Sequence, residues 1–117
     1  MNLDALRYRE GAILEHGRPS LRAYLDLIKA FAKANKFDFE LSKHPETENN
    51  VLILQFRMGE KFAQFKAKTY QNLLGEFAEI KRVEVGNTTV SLEFRPNQGQ
   101  SVTIHQNVQG ATNSTTK

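Results

Sequence analysis

The sequence predicts an α+β fold, a mostly antiparallel sheet of about five to six strands with helices on one face, in the order ααβββαβββ. Three observations predict it. Leu21, Tyr24, Leu25, Ile28, Phe31 and Ala32 recur at three and four residues, the period of a helix. From Phe37 the apolar residues take every second place, as they do again from Val51, the period of a half-buried strand. Between the periodic stretches lie short glycine-bearing turns at Gly59-Glu60, Gly86-Asn87 and Pro96-Asn97-Gln98-Gly99.

In order along the chain, residues 3–16 read as a helix with Leu3, Leu6, Ile13 and Leu14 on one side, weakened by Gly11 and capped by Gly17, with Pro19 opening the next element. Residues 19–35 form the clearest helix. Its core face is followed by a charged face of Arg22, Asp26, Lys29, Lys33 and Lys36, and by a third face of Ala23, Leu27, Ala30 and Ala34. That helix is apolar over more than half its circumference, whereas a surface helix needs only one apolar stripe. Residues 37–41 are a strand and residues 44–50 an acidic loop. In the stretch 51–68 a hairpin competes with a long helix. Turning on Gly59-Glu60 pairs Met58 with Lys61, Phe56 with Ala63, Leu54 with Phe65 and Leu52 with Ala67, a register that is apolar on one face along nearly its whole length, and the hairpin is preferred on that ground. A helix from Thr69 to about Lys81, a second hairpin over 82–95 and a last strand over 100–106 complete the set. Leu25, Ile28, Leu54, Phe56, Phe77 and Leu92 are the expected core. A single domain over 1–107 with a disordered polar tail over 108–117 is expected. The element order is broadly similar to that of type III secretion chaperones, although their last helix and their acidity are missing; the likeness is one of fold only.

Composition narrows the chemistry. The 117 residues contain no cysteine, which removes disulfides, thiolate catalysis and thiolate metal sites. No run reaches the ~18 apolar residues of a membrane span, and the first residues are too charged for a signal peptide, so a cytoplasmic protein without a membrane partner is expected. No phosphate-binding glycine loop or catalytic signature occurs, no cofactor is implied, and His16, His44 and His105 fall in three unrelated segments. The carboxylates of Asp38, Glu40, Glu46 and Glu48 form a charge run suited to solubility. Pairing 100–106 beside the second hairpin sets His105 opposite Ser91 with Arg82 nearby, but an open sheet face offers a nucleophile no water-excluding pocket.

Two binding surfaces stand out. The third face of the long helix, Ala23, Leu27, Ala30 and Ala34, is surplus apolar surface that needs a cover, either helix 3–16 of the same chain or, preferably, a protein partner, a second copy or another subunit. The outward face of the first hairpin would set Arg57, Phe62, Lys66 and Lys68 together, cations with a ring, as in single-strand nucleic-acid binders. The net charge of +3 is a mild hint in the same direction. The reading is a non-enzymatic interaction module, a homodimer or a subunit of an assembly. Nucleic-acid binding is the first alternative, and a motif-less enzyme or ligand-binding cup the second.

Overall fold

The computed structural model describes residues 2–102. Three helices and four strands follow in the order α1 (Leu3–His16), α2 (Leu21–Ala34), β1 (Asp38–Lys43), β2 (Asn50–Gln55), α3 (Glu60–Leu74), β3 (Ala78–Val85) and β4 (Thr89–Pro96). The fold is α+β with one antiparallel sheet of order β1-β2-β4-β3.

Local chemistry sets the helix ends. The Asn2 side chain accepts from the Ala5 amide at 2.7 Å, and Gly17, at φ 84°, returns its N–H to the Ile13 carbonyl at 3.0 Å. Ser20 caps α2 by accepting from the Ala23 amide at 3.0 Å.

Residues 61–68 are helical, and the expected first hairpin is not formed. Two physical reasons overturn it. The free edge of β2 is taken by β4, with Leu52 opposite Leu92 and Leu54 opposite Val90. The apolar residues of the segment also satisfy a helical period, since Ala63, Ala67, Tyr70, Leu73 and Leu74 are buried on one side of α3. Gly59 is the residue before that helix rather than a turn residue, at φ 89° and ψ 174°, a conformation open essentially to glycine alone. The helix also ends at Leu74 instead of continuing to Lys81, and β3 begins at Ala78.

Among the described residues the strand count is four rather than the expected five or six, one strand being lost to α3. The second hairpin is present as β3 and β4, with a register shift between Ile80 and Arg82. The strand expected over 100–106 is absent at Gln100, Ser101 and Val102, and its remainder lies outside the described residues, as do His105 and the tail. Both edges of β4 are already occupied, by β2 and β3, so Ser91 sits between Ile53 and Glu84.

Three layers result. The inner face of the sheet carries Leu52, Leu54, Val90, Leu92 and Phe94, all fully buried. Above it lie α2 and α3, and α1 packs on those two helices. This explains why α2 is apolar over so much of its surface: one side meets the sheet and another meets α1. Of the expected core, Leu25, Ile28, Leu54, Phe56 and Leu92 are buried, and Phe77 is partly buried, its ring centroid 5.7 Å from that of Tyr24.

Candidate interaction surface

As the outermost layer, α1 buries a narrow face made of Ala5, Tyr8 and Ala12. Small residues let it settle close to two helices at once. At Gly11 an added Cβ would meet Leu27 Cδ1 at 3.4 Å, so the glycine that weakens the helix on paper is the point where α1 rests on α2.

Polar groups hold the rest of the seam. Lys66, almost wholly buried on α3, places its Nζ 2.9 Å from Asp4 Oδ2 and 4.1 Å from the centroid of the Phe31 ring. Tyr8, Phe62, Phe65 and Tyr70 surround the same ammonium at 5.3–5.9 Å. The Tyr8 and Tyr70 hydroxyls lie 3.3 Å apart, and Asn2 donates to Thr69 Oγ1 at 3.2 Å. At the other end, Glu76 Oε1 accepts from Arg9 at 2.6 Å and from the Tyr24 hydroxyl at 3.1 Å. Burial pushes the Tyr8 and Tyr24 hydroxyls up to about 12, the Asp4 and Glu76 carboxylates adding to the effect, and drives Tyr70 further in the same direction.

The opposite face of α1 is the unusual one. Leu3 is 67 % exposed, Leu6 42 %, Ile13 49 % and Leu14 85 %. Sequence periodicity found these four residues together but did not show that they face outward. The signal was the second set, Ala5, Tyr8 and Ala12, whose small side chains suit an approach to two helices. Leu3, Arg7, Glu10 and Leu14 follow at spacings of four, three and four, so they form a single exposed stripe with Leu6 and Ile13 along one flank. Among the described residues neither Arg7 nor Glu10 takes part in an ion pair.

The residues singled out from sequence are distributed differently. Ala23 is buried and Leu27 half-buried with Gly11 of α1 against it, while Ala30 and Ala34 are exposed. Phe62 is partly buried in an edge-to-face cluster with Phe37 and Phe56, Lys66 is internal, Lys68 is exposed on α3, and Arg57 is exposed in the loop after β2. The sheet face on which Arg57, Phe62, Lys66 and Lys68 were expected to meet is therefore not formed. The outward face that does exist carries Asp38, Glu40, Glu79, Glu84 and Glu93 against Arg82, Arg95 and, at the register shift, Lys81. The acidic loop is self-contained: His44 Nδ1 accepts from the Glu46 amide at 3.1 Å, and Glu93 accepts from Asn49 at 2.8 Å and Thr47 at 3.1 Å. The Asn49 hydrogen bond holds Glu93 below the usual carboxylate range. Glu46 and Glu48 are exposed.

Comparison of the chain with protein-family models, curated proteins and solved structures finds no match. The case for function therefore rests on the geometry. No helix among the described residues is long and apolar enough to cross a membrane.

Proposed function

We propose that this chain is a non-enzymatic interaction module that self-associates through the outward face of α1. The observation that carries the reading is the exposed stripe of Leu3, Leu6, Ile13 and Leu14 on a helix whose inward face is only Ala5, Tyr8 and Ala12. Surface of this kind is seldom left bare, and it marks contact sites.

The pattern of the stripe favours a second copy as the partner. Laid antiparallel across a two-fold axis between residues 8 and 9, Leu3 of one copy meets Leu14 of the other and Arg7 meets Glu10. Each apolar residue then finds an apolar one and each charge its opposite, twice over by symmetry. The alanine strip of α2 contributes only its exposed part, Ala30 and Ala34, at the margin.

Sedimentation or light scattering tests this. The wild type should be a dimer, and Leu6→Glu with Leu14→Glu should give a folded monomer with unchanged helix content. Arg7→Glu should weaken the dimer by facing Glu10 with a like charge, and adding Glu10→Arg should restore it. A wild type that stays monomeric at high concentration would sink the proposal, as would a charge swap that restores nothing.

A further inference from the structure

A cleft of about 510 Å³ opens at the end of the molecule remote from the start of β3, where the α2–β1 junction meets the end of β2. Asn35, Lys36, Phe37, Asp38, Gln55 and Arg57 line most of it. The volume lies within the usual range for sites that hold a small molecule. Two cations and an anion, Lys36, Arg57 and Asp38, are among its lining residues, all three exposed, and among the described residues none of them takes part in an ion pair. Phe37, partly exposed, supplies an apolar wall.

Lys36 stands in a backbone conformation that does not suit it. At φ 59° it occupies the left-handed position that follows a helix, with its N–H on the Lys33 carbonyl at 3.2 Å and the Phe37 N–H on the Ala32 carbonyl at 2.8 Å. Phe37 packs back on Phe31, ring centroids 5.8 Å apart, which completes the motif. Glycine is the ordinary occupant of that position because it has no Cβ to clash. A lysine there sacrifices stability, and residues held in sparsely populated backbone regions collect at functional sites.

We infer that this cleft binds a small phosphomonoester, with the phosphate between Lys36 and Arg57 and the hydroxyl or amino donors of the ligand turned toward Asp38. A guanidinium and an ammonium lining one cleft match a phosphate dianion, the guanidinium through paired N–H donors. The single carboxylate would repel a bare phosphate but accepts hydrogen bonds from a sugar, and the Asn35 and Gln55 amides can serve either end. The site is independent of the α1 surface.

Lys36→Gly separates binding from folding, because the two effects run in opposite directions. Calorimetric titration with AMP, and separately with inorganic phosphate, is the measurement, alongside thermal unfolding of each variant. Lys36→Gly should raise Tm by relieving the left-handed strain while weakening AMP binding about tenfold or more. Arg57→Gln should weaken AMP and phosphate alike, and Asp38→Asn should weaken AMP while leaving phosphate unchanged or tighter. Phosphate binding with no gain from the nucleoside would assign the cations to free phosphate and overturn the role of Asp38. No heat with either probe at millimolar concentration, or Lys36→Gly and Arg57→Gln variants that bind as the wild type does, would overturn the site. A fall in Tm for Lys36→Gly would overturn the strain argument behind it.

Discussion

Removing either partner of the Lys66–Asp4 pair should destabilise the protein unequally, and the inequality can be worked out from exposure. The Lys66 side chain is 4 % exposed and that of Asp4 18 %. Breaking a buried pair costs about 3–5 kcal/mol when the survivor is a buried charge without a partner. Asp4→Ala leaves such a survivor. Its ammonium keeps the rings, led by Phe31, but a ring offers a cation only about 0.5–2 kcal/mol. A loss near 3 kcal/mol is expected, at the lower end because water already reaches Asp4. Lys66→Met leaves Asp4 instead. That carboxylate has solvent beside it and sits in the first turn of α1, where the helix dipole favours a negative charge. The methionine fills the vacated volume and suits aromatic neighbours. Its cost should be about 1 kcal/mol. The double variant should therefore be more stable than Asp4→Ala alone, since no ammonium is left stranded. Urea unfolding followed by circular dichroism, with the slope checked for constancy, measures all three. Should the double variant cost the sum of the two single changes, the ammonium is not buried as described, and the account of the α1 seam fails with it.

Two further predictions concern the same seam. All three tyrosines in the sequence, Tyr8, Tyr24 and Tyr70, are buried with hydroxyl pKa values raised by desolvation. In the unfolded chain they ionise near 10, in the folded one at about 12 or beyond, so their contribution is intact below pH 10 and is lost as pH rises toward 12. Tyrosinate absorbance should appear together with loss of helix signal, and a tyrosine that titrates near 10 in the folded protein would contradict this burial. Gly11→Ala should be neutral or stabilise by up to ~1 kcal/mol, since the gain in helix propensity meets only an ordinary contact with Leu27. Gly11→Leu should lift α1 from α2 and destabilise, and equal thermal stability of the two variants would show that the helices do not meet there.

Much of the fold was legible in the sequence, and the exceptions have particular causes. Both N-terminal helices carry caps and spacings that act locally, so Leu3–His16 and Leu21–Ala34 follow from neighbours in the chain. Strand β2 was also visible, but its partner was not. The choice between residues 61–68 and β4 as that partner is a tertiary one, and an apolar register alone does not make it. Lys66 deepened the ambiguity: a lysine in the middle of a buried helix face reads as solvent-facing until Asp4, Tyr8 and Phe31 are brought from distant parts of the chain to join the three rings of its own helix. The surplus apolar surface of α2 was recognised correctly as needing a cover. Helix 3–16 and a second copy were the two covers the sequence allowed, the second copy being preferred; α1 supplies part of that cover at Leu27, and what escaped the sequence was that it exposes leucines of its own in doing so.

The sheet order β1-β2-β4-β3 has a consequence for how the chain reaches this structure. It consists of two hairpins, each closed by a short local turn, joined by one seam between β2 and β4 that spans all of α3 and β3. Local pairings form early at small entropic cost, whereas closing a long loop must precede any reward from the contacts it brings together. The rate of folding is therefore set at the seam. Weakening the Leu52–Leu92 contact, made as the seam closes, should slow refolding, and weakening Val83, in a hairpin already formed by then, should do the same rather than hasten unfolding, an outcome that the two limbs of a chevron plot resolve.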